Sequence, residues 1–261
     1  MPPHRPRTER RDERPYRLIT TDRIRRHLVG LKMPRAVEAL QTARLPTVKT
    51  LSGYDFSFQP SLDRNRVLAL AELEFVARHQ CVHLLGPPGT GKSHLAIALG
   101  VQAVHAGKSV YMATLAEMVD SMRRAEREGR LTERVRYLAR HSVLIVDEIG
   151  YLPVGSGGGN LFFQLVNACY ERCAMIMTSN RGFGEWAAIF GDSLVATALL
   201  DRLLHHAVVI PIEGNSYRLR EHANLLPENL RNRAALQNGA PPEIRRVPGR
   251  PRKDAAAPMS G

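Results

Sequence analysis

Cysteine is scarce in this sequence, since its 261 residues contain only three. A sparse and odd set of cysteines argues against a disulfide framework and favours a reducing compartment, so we expect a cytoplasmic protein. Long hydrophobic runs are also missing: no apolar stretch approaches the ~18 residues that a membrane-spanning helix requires. The basic amino terminus has no apolar segment behind it, which argues against a secretory signal. The sequence therefore predicts neither secretion nor a membrane span.

Acidic residues are few compared with basic ones. The chain has 25 Asp and Glu against 37 Lys and Arg, a formal net charge of +12 and a pI near 10.2. A surplus of this size favours an anionic partner, and nucleic acid is the first candidate. A basic soluble protein without such a partner is the alternative. The length allows one large domain with appendages or two small domains.

A glycine-rich loop at residues 86–93 has the spacing of a phosphate-binding loop. An apolar segment at 81–85 precedes it and a helical pattern at 93–106 follows it, as such a loop requires. Glycines accept backbone angles that side chains forbid, and they let amide N–H groups surround phosphate oxygens. Lys92 is expected to reach the β- and γ-phosphates, and the Ser93 hydroxyl is expected to ligate Mg²⁺. The predicted ATP-binding residues of the loop are Gly86, Pro87, Pro88, Gly89, Thr90, Gly91, Lys92 and Ser93.

A second apolar segment, at 143–146, ends in Asp147 and Glu148. Phosphoryl transfer needs positioning and charge neutralisation more than covalent help. We therefore expect Asp147 to hold Mg²⁺ through water and Glu148 to polarise the attacking water. The sequence predicts ATP and Mg²⁺ as cofactors and ATP hydrolysis as the reaction.

Three more polar residues follow along the chain. Asn180 and Arg202 each have two interpretations, and the case for Arg218 is weaker. Asn180 ends an apolar segment, where its amide could orient the attacking water or simply begin a loop. Arg202 is either an arginine finger that reaches a neighbouring subunit's ATP or one half of a surface ion pair with Asp201. Arg218 is a candidate for contacting the phosphates of its own subunit.

Apolar strand patterns alternate with helical patterns through the middle of the chain. The predicted strands are 81–85, 108–113, 142–146, 174–178 and 207–212, and the predicted helices include 61–78, 93–106, 160–172 and 193–205. Such alternation predicts an α/β fold, with a five-stranded parallel sheet covered on both faces. The glycine run at 155–159 is interpreted as a flexible loop.

The flanks differ from this core in composition. Residues 1–15 are interpreted as a disordered basic arm, 16–60 as a helical module with a linker, 61–225 as the ATPase domain and 226–261 as a disordered basic tail. The module packs either on the main domain or on a subunit, a partner or nucleic acid. The tail segment 248–253 is either an AT-hook or a non-specific basic tail.

Arginines are concentrated between the second and third predicted strands, with few acids among them. Local apolar packing does not explain their presence. We expect this stretch to grip DNA phosphates with little base readout. The predicted DNA-binding residues are Arg123, Arg124, Arg127, Arg130 and Arg134, with Arg136 and Arg140 in the same stretch. Elsewhere, Cys169, Cys173 and the His205-His206 pair are interpreted as packing residues and not as a metal site.

Five motifs in this order resemble those of AAA+ ATPases, and more narrowly the IstB-like helper ATPases of insertion-sequence transposition. The motifs are the phosphate loop, the Asp147-Glu148 strand end, Thr178-Ser179-Asn180, Leu199-Leu200-Asp201-Arg202-Leu203 and Ser216-Tyr217-Arg218. The resemblance runs from about Thr20 to Ala223 and extends to DnaC-like helicase loaders. It implies Asn180 as sensor 1, Arg202 as the arginine finger and Arg218 as sensor 2. It also implies that the arginine-rich helices form the DNA-contacting element. Many AAA+ proteins end in a helical lid, but this chain has little apolar periodicity after Gly214, so we expect the lid to be short or absent.

The resemblance implies a function as well. The expected protein is an ATP-hydrolysing helper of transposition that forms a homo-oligomer on target DNA and engages a transposase. One alternative is a loader of a replicative helicase, with the amino-terminal module gripping that helicase. The other is a nucleotide-binding DNA adaptor that barely hydrolyses ATP.

Overall fold

The structure, a computed structural model, describes residues 42–219. Five parallel strands form one sheet in the order β2-β3-β4-β1-β5. They are β1 (Cys81–Leu85), β2 (Val110–Thr114), β3 (Val143–Ile149), β4 (Ala174–Ser179) and β5 (Ala207–Pro211). The predicted α/β architecture with five parallel strands is confirmed. The basic arm, most of the helical module and the tail with its AT-hook candidate lie outside the described residues.

Eight α-helices connect and cover the strands within residues 42–219. They are α1 (Arg64–Ala71), α2 (Glu74–Ala77), α3 (Lys92–His105), α4 (Leu115–Arg127), α5 (Leu131–Ala139), α6 (Gly158–Cys169), α7 (Trp186–Phe190) and α8 (Ser193–Leu204). Thr114 caps α4, because its side chain and that of Glu117 form a reciprocal capping box. No helix among these residues is long and apolar enough to cross a membrane.

The sheet is buried because its strands are apolar on both faces. In β3, Leu144 and Val146 join a core cluster with α4 to α8, while Val143 and Ile145 join a second cluster with α1 to α3. Successive side chains of a strand point to opposite faces, so one continuous apolar run supplies both cores. The carboxyl ends of the strands consequently meet at one edge, where the loops that follow them lie close together.

The sequence predicts one continuous helix at 61–78. This prediction is wrong, because the structure has two helices in that range. Leu73 has a left-handed backbone with φ of 61° and separates α1 from α2. Asp63 caps α1 by accepting from the N–H groups of Asn65 and Arg66, so the helix also starts later than predicted. This break lets Phe75 and Val76 reach the core cluster beneath α3.

The glycine run is not wholly a flexible loop. Its last two residues, Gly158 and Gly159, are buried in the first turn of α6. A side chain at Gly158 would begin 3.0 Å from Val154 and 3.2 Å from Val119. The glycine therefore allows close packing of a helix on its neighbours, which composition alone does not distinguish from flexibility.

Candidate nucleotide-binding site

The loop that follows β1 is fixed in place by an aromatic ring from earlier in the chain. Tyr54 donates a 2.9 Å hydrogen bond from its hydroxyl to the carbonyl oxygen of Thr90. Its ring packs so closely on Gly91 that a Cβ atom there would lie 2.6 Å from the ring, and Gly91 has a φ of +90°. Only glycine meets both the backbone and the space requirement at this position. The burial of Tyr54, with the nearby charge of Asp55, raises the pKa of its hydroxyl to about 12.

Lys92, at the first position of α3, turns back into the loop. Its Nζ atom donates to the carbonyl oxygens of Gly86 at 2.7 Å and Pro87 at 2.6 Å. The residue is only 8% exposed, and burial lowers its pKa to about 8, with Arg218 lowering it further and Asp147 opposing the shift. A desolvated ammonium held inside a phosphate-binding loop gains most from an arriving anion.

The predicted magnesium ligands lie side by side. Ser93 donates from its hydroxyl to Oδ1 of Asp147 at 2.8 Å, and the hydroxyl of Thr178 donates to the same oxygen. Asp147 is 7% exposed, so its carboxylate depends on these partners for solvation. A hydroxyl and a buried carboxylate are hard oxygen donors of the type that Mg²⁺ prefers, so the residues fit this ion.

Glu148 is turned away from the strand that carries it. The pairing of β3 with β4 is irregular between Val146 and Ile149, and Glu148 has a left-handed φ of 62°. Its backbone N–H donates to the hydroxyl of Thr178 at 3.0 Å, and its side chain is exposed at the edge of the cavity. Partial burial raises the pKa of its carboxyl, with further increases from Asp147 and Glu117, whereas Arg218 lowers it. A bulge that re-aims a carboxyl of raised pKa is typical of a site for proton transfer.

Asn180 lies directly after β4, and β4 lies between β1 and β3 in the sheet. The strand end that carries Asn180 therefore lies between the strand ends that carry the phosphate loop and the two acids. With its amide nitrogen facing the turn after β3, it donates to the carbonyl oxygens of Ile149 at 3.2 Å and Gly150 at 3.1 Å. These bonds anchor the amide beside the segment that carries Glu148.

Residues from both ends of the described chain complete the site. Arg218 lines the cavity, which the segment Ser216-Tyr217-Arg218 reaches because the N–H of Tyr217 donates to the Gly89 carbonyl at 2.9 Å. Phe58 stacks edge-on against Tyr217 with ring centres 5.1 Å apart. Tyr54, Phe56 and Phe58 alternate in the sequence, and this pattern could have indicated a role in the site. The segment is instead interpreted above as part of a linker.

The cavity enclosed by these parts has a volume of about 450 Å³. Ligand pockets of roughly 300–1,000 Å³ suit small molecules and cofactors. The lining includes the phosphate loop, Asp147, Glu148 and Arg218, together with Pro46, Thr47 and Tyr54. The loop, the acids and the arginine suit a triphosphate with Mg²⁺.

Arg202 lies far from this cavity. Its guanidinium stacks over the ring of Tyr170 at 4.8 Å, and it borders a small pocket with Cys81 and Met175, at the amino ends of β1 and β4. Five strand residues at about 3.3 Å each separate this edge from the phosphate loop by roughly 16 Å. Within residues 42–219 no ion pair joins Arg202 to Asp201, so the surface ion pair considered above is not formed.

The predicted DNA-binding arginines fall into two groups, and those of the first group contact backbone carbonyls, hydroxyls or the few acids of the stretch. Arg123 donates to the carbonyl oxygens of Val154 and Ser156 and lies 3.6 Å from Asp120. Arg134 donates to Ser121 and Tyr111, and Arg130 pairs with Glu128. These contacts depend on how α4 and α5 pack, which local composition does not reveal.

The second group consists of Arg124 and Arg127, whose side chains are exposed on the last turns of α4. Among the ion pairs of residues 42–219, neither arginine has a partner. Arg136 and Arg140 are exposed on and after α5, and Arg140 stacks over Tyr137 at 4.4 Å.

Comparison with known proteins agrees with this site. The sequence model of a family described as "IstB-like ATP binding protein" matches residues 17–224. A protein of Pseudomonas aeruginosa, named for ATP binding in insertion sequence IS21, is 51% identical over 192 residues, covering 73% of this chain and 72% of that protein. The corresponding protein of IS5376 from Geobacillus stearothermophilus is 44% identical over 191 residues, covering 73% and 76%.

Two solved structures share the fold. The structure of DnaI has a TM-score of 0.53 at 20% identity and covers 63% of this chain and 90% of that one. The replication initiator DnaA bound to AMPPCP and single-stranded DNA has a TM-score of 0.52 at 20% identity and covers 70% and 58%. At this identity the likeness concerns the fold alone.

Proposed function

Because the chain belongs to the family of IstB-like ATP-binding proteins, we propose that it is an ATP-hydrolysing, DNA-binding helper of insertion-sequence transposition. It forms a homo-oligomer with ATP on target DNA and engages the transposase of the same element. The observation that carries the ATPase assignment is the convergence of Lys92, Ser93, Asp147 and Glu148 around one cavity. A cytoplasmic location stays a prediction from the cysteines, all three of which are free thiols.

Each residue has a separate part in the hydrolysis. Lys92 exchanges its loop carbonyl partners for the β- and γ-phosphates, which restores its full positive charge. Ser93 and Asp147 would hold Mg²⁺, and the bound ion would supply charge neutralisation on the phosphates. Glu148 accepts a hydrogen bond and then a proton from the attacking water. The raised pKa of its carboxyl favours this proton transfer. Asn180, which follows the strand between those of the loop and the acids, orients the same water.

The position of Arg202 supports an assembly of several subunits. An arginine at the amino edge of the sheet is too distant to stabilise charge on the ATP of its own subunit. Placed against a neighbour's cavity, it stabilises the negative charge of the phosphoryl-transfer transition state. Arg218, which lines its own cavity and affects the pKa values of Lys92 and Glu148, is the proposed contact in the same subunit.

DNA binding is assigned to the exposed arginines of α4, Arg124 and Arg127, with the basic flanks adding attraction. The net charge of +12 supports an anionic partner, and exposed arginines without acidic partners suit phosphates. The names of the relatives connect those proteins with insertion sequences, which supports a transposase as the protein partner here.

One experiment separates this proposal from its alternatives. ATP turnover by the full chain is measured alone, with DNA, and with DNA plus the transposase of its element. The proposal expects turnover that depends on Glu148 and responds to DNA and transposase. Turnover that is negligible in every condition would instead support a nucleotide-binding adaptor. A response to a replicative helicase and none to the transposase would support the loader.

A further inference from the structure

Two histidines and a glutamate gather on the surface at the amino edge of the sheet, far from the nucleotide cavity. Each of Glu171, His205 and His206 offers a ligand atom, and these atoms lie within 4.8 Å of one another. The rings of His205 and His206 have centres 4.0 Å apart, and all three side chains are exposed. The histidines therefore do not pack in the core, which corrects the sequence interpretation of this pair.

We propose that Glu171, His205 and His206 form a binding site for a transition-metal dication of the Zn²⁺ class. Imidazole nitrogens and a carboxylate oxygen suit Zn²⁺ and neighbouring first-row dications. Three protein ligands leave a fourth position of a tetrahedral ion to water or an external ligand. The site is separate from the Mg²⁺ ligands, which are hard oxygen donors at the opposite edge of the sheet.

A neighbouring tyrosine holds His205 in an orientation that suits metal binding. Tyr170 lies next to Glu171 in sequence, and its hydroxyl forms a 2.8 Å hydrogen bond with Nδ1 of His205. When Nδ1 carries the hydrogen and donates to Tyr170, the lone pair of Nε2 is free to bind a metal. Metal-binding histidines ordinarily have such an outer partner, which fixes the tautomer and the ring.

The backbone favours a cation at the same place. His205 caps the carboxyl end of α8, where the helix dipole is negative and the last carbonyl groups lack partners within the helix. Glu171 has a left-handed φ of 56° in the turn between α6 and β4. This uncommon conformation brings its carboxylate towards the two histidines, although they lie more than 30 residues later in the chain.

The nearby cysteines are poor competitors for the ion. Cys81, Cys169 and Cys173 border the small pocket beneath His206 and Glu171. Cys169 and Cys173 are buried and Cys81 is half-buried. An ion that arrives from solvent therefore meets the exposed imidazoles and carboxylate first.

Zinc binding to the full chain tests the site directly and does not depend on ATPase activity. The nucleotide-free protein is titrated with Zn²⁺ against a chromophoric chelator, with Mg²⁺ in excess to occupy the oxygen-donor site. We expect His206→Ala and Glu171→Gln each to weaken or remove one equivalent of Zn²⁺, by at least ~10-fold in affinity. His105→Ala, at an exposed histidine on α3, is the matched control and should bind as the parent does.

Two further measurements make the result decisive. Tyr170→Phe should weaken the same equivalent by ~10-fold or more, since it removes the outer partner of His205. Co²⁺ bound in place of Zn²⁺ should show no thiolate-to-metal charge-transfer band. Parent-like binding by both His206→Ala and Glu171→Gln would overturn the site, and so would a thiolate band, which would assign the metal to the cysteines.

Discussion

The Ser93 hydroxyl donates a 2.8 Å hydrogen bond to Oδ1 of Asp147, across 54 residues of sequence. The bond joins the first turn of α3 to the end of β3, and Thr178 donates from β4 to the same carboxylate oxygen. Three elements of the sheet edge are thus connected through one carboxylate oxygen. The phosphate-binding half and the hydrolytic half of the site consequently form one unit.

Lys92 and Glu148 should fail at different steps. Lys92→Ala removes the cation of the phosphate loop, so we expect nucleotide binding to be lost. Glu148→Gln keeps the shape of the side chain but removes its basicity, so we expect normal binding and turnover reduced by about 10²-fold or more. Fluorescent-nucleotide titration measures binding, and phosphate release measures turnover. Normal turnover by the Glu148→Gln protein would contradict the role assigned to that carboxyl.

Arg202 should act across a subunit boundary. Arg202→Ala is expected to bind ATP normally and to lose hydrolysis by about 10³-fold, as for other arginine fingers. Mixing it with Glu148→Gln subunits should restore some activity, because an interface can combine an intact Glu148 from one mutant with an intact Arg202 from the other. Inactive mixtures, in samples whose co-assembly has been verified, would remove the finger assignment.

The arginines of α4 should separate into binding and structural residues. Replacing the exposed Arg124 and Arg127 with Ala should lower the salt dependence of DNA affinity by about one unit for each lost phosphate contact. Arg123→Ala removes hydrogen bonds to Val154 and Ser156, so it should lower the melting temperature more than either exposed change. Binding at several salt concentrations and thermal unfolding supply the data. An unchanged slope in the Arg124, Arg127 double variant would assign DNA binding to another surface.

ATP binding should take up protons near pH 8. Burial lowers the pKa of Lys92 to about 8, so about half of these lysines are neutral there in the free protein. Phosphate charge favours the ammonium and raises that pKa, so up to about half a proton is taken up on binding. The uptake should vanish near pH 6.5, where Lys92 is already charged. Calorimetry in two buffers of different ionisation enthalpy measures it, and equal uptake at both pH values would exclude Lys92 as its source.

The local motifs could be predicted from sequence because each consists of neighbouring residues at the end of a predicted strand. The phosphate loop after β1 and the acids near the end of β3 lie close together because parallel strands end at one edge of the sheet. The contact of Tyr54 with Gly91 could not be predicted, since it joins residues distant in sequence and depends on packing. The same holds for Arg123, whose partners Val154 and Ser156 are backbone carbonyls that no composition reveals.

The basic tail provides the last prediction. Residues 248–253 lie outside the described structure, and their sequence has Gly-Arg-Pro flanked by basic residues, as in an AT-hook core. Pro251 fixes its own φ and restrains Arg250 to an extended backbone, which lets arginine enter a narrow A·T minor groove. Truncation at Arg245 should therefore weaken binding to A·T-rich duplexes more than to G·C-rich ones. Equal losses on both duplexes, at one salt concentration, would leave only non-specific attraction between the tail and DNA phosphates.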